Sequence, residues 1–239
     1  MVVVERVLNQ TPREKTRLDV ETIVEAGLRI AAQPGATAVT VRELGAMLGT
    51  DPTAIYRHFR NKESLMEALL DRLLAMSLER VSAPREDWRA RITQLMSATL
   101  DVFVTYPAIG LEAVVLTTDG PAELSTIELM LDALAQTGLE GEELVRHYAT
   151  LASYALSYSA GIAREHTLNP SITPDDSQPW IGRTLPVTAA SHPRISELRE
   201  ELTALRDREI LLLGIEMLLD GAERAGAEAR SSAQPPPAP

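Results

Sequence analysis

A tight turn between two short helices constrains this chain more than any other feature. Thr40 and Glu43 are spaced as a capping box, in which each side chain reaches the other residue's backbone amide and starts a helix. Val41, Leu44 and Leu48 give that helix an apolar edge, and Gly49 ends it. Asp51 then caps the next helix with Pro52 at the first position, where its missing N–H costs nothing. Two helices joined this closely, through a turn containing glycine, form a helix-turn-helix. An earlier helix is expected from the cap Asp19 to about Gln33, with Val20, Ile23, Ala26, Gly27 and Ile30 on one face and Pro34-Gly35 as its stop. Asn61 opens a further helix through Leu65, Leu69 and Leu73.

In this geometry the N-terminal half of the second helix enters the major groove of DNA. Here that half offers Pro52, Thr53, Ala54, Tyr56 and Arg57, small residues that let the helix approach beside two that donate hydrogen bonds. Arg57 suits either bidentate reading of guanine or a phosphate contact. The net charge of -11 runs against phosphate attraction until its distribution is read. Residues 13–62 carry eight basic and six acidic side chains, so the acidic excess lies outside them.

Residues 40–65, TVRELGAMLGTDPTAIYRHFRNKESL, resemble the tetracycline-repressor (TetR) family of regulators. The likeness rests on Arg42, Leu44, Leu48, Gly49, Ile55, Tyr56, His58, Phe59, Lys62 and Leu65; Gly45 departs from the usual Ala and is expected to loosen its helix. The resemblance implies that Thr40, Arg42, Tyr56, His58 and Lys62 contact phosphates or flanking bases, with Thr53, Ala54 and Arg57 nearest the bases. Structural roles compete at several of these: Thr40 is a helix cap in any case, His58 suits interhelical packing, and Arg42 suits a solvated surface. Lys62 starts a helix whose exposed amides favour anions.

The fold class expected is all-α: a three-helix helix-turn-helix DNA-binding domain followed by a larger helical ligand-binding and dimerisation domain. Residues 1–18 read as a flexible arm, 19–65 as the DNA-binding head, 66–226 as the effector-binding and dimerisation body, and 227–239 as a disordered Pro/Ala/Ser-rich tail. Breakers divide the body into helices at about 87–106, 107–117, 121–138, 140–166, 194–203 and 205–225, with a proline-rich loop at 167–193. LLLGIEMLLDGAER, residues 211–224, resembles the last helix of the tetracycline-repressor subgroup, where it and the long earlier helix form a four-helix bundle with a partner's copies. The residues support this: Leu205, Leu212 and Leu219 recur by seven with Ile215 and Ala222 between, while Leu211, Met217 and Leu218 cover another side. Small residues Ala149, Ala152, Ala155, Ser159 and Ala163 would let the long helix approach a neighbour closely. A homodimer through the helices near 140–166 and 205–225 is therefore expected, spanning a palindromic operator.

Regulators of this architecture keep a cavity among the body helices. Met96, Leu100, Phe103, Tyr106, Leu116, Met130, Tyr154 and Tyr158 are the candidate lining, with His147 or His166 as polar contacts; core packing competes at each. The resemblance implies a magnesium–drug chelate held by a His in the short helix after Tyr106-Pro107, yet no His, Lys or Arg occurs between 107 and 136. An uncharged or cationic apolar effector fits better, and no metal or cofactor is expected. The absence of Cys excludes disulfides and thiolate chemistry, and no H-E-x-x-H, G-x-S-x-G or phosphate loop supplies enzyme machinery. No apolar run reaches the roughly 20 residues of a membrane span, so a cytoplasmic regulator, probed by double-stranded DNA and a small molecule, is the expectation. The alternative is a dimeric DNA-binding regulator without a small-molecule effector, controlled by a protein partner.

Overall fold

Each helix of the head begins on a side chain that satisfies an amide the helix itself leaves orphaned. In the computed structural model, which describes residues 18–168, 179–181 and 184–233, α1 (Val20–Ala31) is capped by Asp19, whose carboxylate accepts from Thr22 N at 2.9 Å. Helix α2 (Val41–Leu48) carries the reciprocal Thr40–Glu43 box, and Gly49 ends it in the left-handed region at φ 64°. Helix α3 (Pro52–Ile55) is capped by Asp51, and α4 (Lys62–Leu78) by Asn61, which accepts from Ser64 N at 2.8 Å. The third helix, expected to run to about Phe59, ends at Ile55. Past Ile55 the chain tightens into i→i+3 turns, Arg57 N to Ala54 O and His58 N to Ile55 O, before Phe59 returns to the core.

The body continues with α5 (Trp88–Thr105), α6 (Pro107–Gly110), a 3-10 turn (Leu111–Val114), α7 (Pro121–Ala135) and α8 (Gly141–Leu168). Then follow α9 (Pro193–Glu197), α10 (Arg199–Ala204) and α11 (Asp207–Ala233). The single helix expected over 194–203 is broken at Leu198, and α11 runs eight residues past the expected end. Gly226 allows close approach: a Cβ there would stand 2.1 Å from the Thr137 carbonyl oxygen. Arg230 donates to that same carbonyl, tying the last turns of α11 to the end of α7. The expected tail boundary at 227 thus falls inside this helix. Residues 1–17 and 234–239, assigned above to the arm and tail, lie outside the described residues, as do Pro170 and Pro174 of the proline-rich loop. The described part of that loop is tied down: Trp180 N donates to Leu205 O at 2.9 Å, and Arg199 donates to the carbonyls of Leu185 and Val187.

Two apolar clusters form the interior. One joins Ile23, Ile30, Leu44, Ile55 and Phe59 of the head to Leu65, Leu69 and Leu73 of α4, and continues into Val102, Phe103, Ala108 and Ile109. Head and body therefore share a core across α4 and α6. Gly27 makes this possible, since a Cβ there would stand 2.6 Å from a Leu69 methyl group. The other cluster packs α5, α7, α8 and α11 around Ile92, Leu95, Leu134, Leu151, Leu211, Ile215 and Leu219.

The small residues of α8 serve this protomer's own interior more than the sequence suggests. Ala155, Ser159 and Ala163 are buried within it, whereas Ala149 and Gly161 are exposed. On α11, Leu211, Ile215, Leu219 and Ala222 face inward, while Leu213 and Met217 are 56% and 65% exposed. Among the described residues, no helix is long and apolar enough to cross a membrane.

Candidate nucleic-acid interface and ligand cavity

The buried triad Leu44, Ile55 and Phe59 fixes α2 and α3 against each other and turns the remaining residues of the motif outward. Thr40, Arg42, Pro52, Thr53, Tyr56, Arg57, His58 and Lys62 are all exposed, and Ala54 is half-buried. Tyr56, an aromatic residue 47% exposed, has no place in this protomer's core. Gly45 does not loosen α2 as expected. A Cβ there would stand 3.0 Å from the Thr50 carbonyl oxygen and 3.1 Å from Pro52 Cγ, so glycine lets α2 and α3 close up.

Two of the expected contacts are already engaged. The Thr40 hydroxyl donates to Glu43 at 2.6 Å, and the Thr53 hydroxyl donates to Asp51 at 2.6 Å. The Thr53 hydroxyl and amide together hold the Asp51 carboxyl below its usual range. Thr53 can therefore offer bases its methyl group more readily than its hydroxyl. Arg60 was missed in the sequence reading; it is exposed beside His58 and Lys62 and adds a cation to the same surface. Its signal was available, as a basic residue within the matching motif.

Behind the head, α4, α5, α7 and α8 enclose a cavity of about 70 Å³, smaller than the roughly 300–1,000 Å³ of typical small-ligand sites. Met96, Leu116 and Met130 line it as expected positions. Leu70 and Leu74 enter from α4, Thr99 from α5, and Glu123, Thr126 and Ile127 from α7. The α8 wall is Tyr148, Ala152, Ala155 and Leu156, one helical stripe. The other candidates lie elsewhere. Leu100 packs in the body cluster, Phe103 is fully buried in the cluster shared with the head, and Tyr106 packs against the latter.

Tyr154 and Tyr158 sit on the α8 face turned to α11. The Tyr154 hydroxyl donates to the Ile210 carbonyl at 3.0 Å, and only the missing side chain of Gly214 admits it, since a Cβ there would stand 2.0 Å away. Burial first, and the neighbouring Asp207 next, push the Tyr158 hydroxyl up to about 12. The His147 ring is engaged by the Glu143 carbonyl of its own helix, and His166 is buried outside the wall. Helix phase decided these placements: at 3.6 residues per turn, positions 154 and 158 are centred more than a third of a turn from 148, 152 and 156.

Glu123 is the charged residue of the wall. Its Oε2 accepts from the Thr118 amide, the Thr118 hydroxyl at 2.7 Å and the Asp119 amide at 3.1 Å. Asp71 of α4 meets the same turn: its Oδ1 accepts from Ala122 N at 3.0 Å, Glu123 N at 2.9 Å and the Thr118 hydroxyl at 3.3 Å. An α4 side chain thus caps α7 at the mouth of the 118–120 turn. Tyr148 stands opposite, its hydroxyl pushed up by burial and then by the Glu123 charge. Among the described residues, no cluster of side chains is arranged to hold a metal ion.

Comparison with known proteins agrees with this architecture. Residues 23–69 match the family model for bacterial regulatory proteins of the tetR family, and residues 82–225 match the tetracyclin repressor-like C-terminal domain. The HTH-type transcriptional repressor DrrR1 of Streptomyces coeruleorubidus is 25% identical over 92% of this chain and 83% of its own length. The class A tetracycline repressor of Escherichia coli is 27% identical over 59% of this chain and 65% of its own. A putative transcriptional regulator from Streptomyces coelicolor A3(2) superposes with a TM-score of 0.71 at 24% identity, over 88% of this chain and 99% of the other. ActR of S. coelicolor in complex with (S)-DNPA superposes with a TM-score of 0.68 at 20% identity, over 88% of this chain and 100% of the other. With the helix-turn-helix and the helical body each matched by its own family model, the chain belongs to the TetR family of DNA-binding transcription regulators, a class that is not enzymatic.

Proposed function

We propose that this chain is a ligand-responsive transcriptional repressor that holds a palindromic operator as a homodimer and releases it when a small, largely apolar molecule fills the cavity. One observation carries the reading: α4 supplies both Lys62, at the exposed DNA-facing surface, and Leu70 and Leu74, in the cavity wall. A molecule entering the cavity presses on the helix that sets the direction of the head. Its effect is limited by its differential affinity for the DNA-compatible and DNA-incompatible arrangements. The cores shared across α4 and α6 give the coupling a physical path. Repression is supported by DrrR1 and the tetracycline repressors, and small-molecule binding by the complexes of ActR with (S)-DNPA and with actinorhodin. The cavity favours a small-molecule effector over control by a protein partner, and work on DNA assigns the protein to the cytoplasm.

The dimer is assigned to α8 and α11, whose exposed Val145, Leu213 and Met217 are apolar and unsuited to water. Two heads on one two-fold axis then meet successive major grooves about 34 Å apart. Arg57 and Tyr56 are assigned to base edges, while Thr40, Arg42, His58 and Lys62, with Arg60 beside them, anchor phosphates. Selecting bound sequences from a random DNA pool tests this: a palindrome is expected. Arg57→Ala is expected to relax one base position per half-site at a cost of about 1–3 kcal/mol, and Lys62→Ala to weaken all sites alike. Uniform loss in both variants would refute the division between reader and anchor. An unchanged head-to-head distance between spin labels, at ligand levels that release DNA, would refute the α4 lever.

A further inference from the structure

The cavity is apolar on most of its wall, yet its one charged residue is a carboxylate, and no Lys, Arg or His stands among the described lining residues. Thr99, Thr126 and the Tyr148 hydroxyl are the remaining polar groups. Glu123 is half-buried, and a charged group partly withdrawn from water is costly unless it is paired. Glu123 meets part of that cost through the Thr118 and Asp119 donors, but all three converge on Oε2. Among the described residues, no hydrogen bond reaches Oε1. Asp71 adds a second carboxylate behind the same turn, so the electrostatic field at this end of the cavity is negative.

We propose that Glu123 is the specificity-determining residue of the cavity, selecting effectors that carry a protonated amine or other organic cation on an apolar body. This rests on the cavity being the effector site. The Oε1 atom of Glu123 accepts from the ammonium group while the Leu70, Leu74, Met96 and Met130 side chains enclose the apolar part. An effector bearing a carboxylate or phosphate meets two like charges and is excluded.

A matched pair of small probes, isobutylamine and isobutanol, tests this by titration calorimetry with the full-length protein at neutral pH. Their apolar bodies are the same and only the amine is cationic. Wild-type protein is expected to bind the amine about tenfold or more tighter than the alcohol, as for other close charge pairs at binding interfaces. Glu123→Gln is expected to bring the two within about twofold. Thr118→Val keeps the carboxylate and removes one of its donors, so it is expected to retain the preference for the amine.

Equal binding of both probes by the wild type overturns the inference and leaves the cavity reading standing; this arm needs no variant to fold. A preference that survives intact in folded Glu123→Gln overturns it equally. If neither probe binds, or if Ala152→Trp, which fills the cavity, leaves binding unchanged, both the inference and the effector site on which it rests fall.

Discussion

Replacing Asp71 with Ala removes the carboxylate by which α4 grips α7. That carboxylate accepts two backbone N–H groups in the first turn of α7 and the Thr118 hydroxyl, all through Oδ1. Loss of a helix cap costs about 0.5–2 kcal/mol, and a hydrogen bond to a charged group contributes about 1.5–3 kcal/mol. The freed amides are only part-buried, and water recovers some of that loss, so Asp71→Ala is expected to cost about 2–3 kcal/mol. Asp71→Asn keeps one carbonyl acceptor and is expected to cost about half as much. Urea unfolding at one fixed protein concentration is the assay, because any dimerisation makes stability depend on concentration. In thermal unfolding the same change corresponds to about 5–10 °C for a chain of this size. Thr118 touches both Asp71 and Glu123, so Asp71→Ala and Thr118→Val are expected to be non-additive by about 0.5 kcal/mol or more. A loss below about 0.5 kcal/mol in Asp71→Ala, with additive behaviour in the double variant, would show that the clasp adds nothing beyond what water supplies.

Gly214→Ala forces a Cβ onto the Tyr154 ring, where three ring and hydroxyl atoms lie within 2.8 Å. Overpacking of about 1–3 kcal/mol is expected to outweigh the roughly 1 kcal/mol gained in helix propensity, and a higher melting temperature would contradict it. Gly161 and Gly221, also helical, have open space at the Cβ position. In an isolated protomer their change to Ala stabilises by about 1 kcal/mol; a loss of stability with a weaker dimer is expected instead if α8 and α11 form the seam, as gel filtration and melting together report. Asp132 is held at about 2 by Arg85 first and Arg91 next, below its ordinary 3.8. A lowered carboxyl stabilises the fold above its unfolded value and loses that contribution as pH falls through the folded one. Acid titration is therefore expected to remove this support between about pH 4 and 2, and Asp132→Asn to abolish that part of the pH dependence.

The head was legible in the sequence because its signals are local. Capping boxes, a left-handed glycine and Pro at a first helical position each act within four residues, and Thr40, Gly49, Asp51 and Asn61 behave as their neighbours in the chain dictate. Outward presentation of Arg57, Tyr56 and Lys62 follows from the burial of Ile55 and Phe59 on the other side of the motif. The cavity was not legible in the same way. Apolar periodicity marks a face as buried without saying which neighbour buries it, and a helix enclosed on several sides has more than one such face. Tyr154 and Tyr158 carry the same apolar signal as Ala152, and only the cover of α11 over that pair separates the two faces. Met96, Leu116 and Met130 carry the same signal and do reach the wall.

Sequence alone determined the all-helical architecture, the order of its helices and the motif that turns toward DNA, because these follow from contacts between residues a few positions apart. Tertiary packing decided the rest. It made Gly45, Gly214 and Gly226 points of close approach, and it brought Asp71 to Glu123 across a gap of more than one helix. A carboxylate on a helix surface carries no sign of what it will face; only the neighbouring helices determine whether it meets water, an amide or an enclosed space.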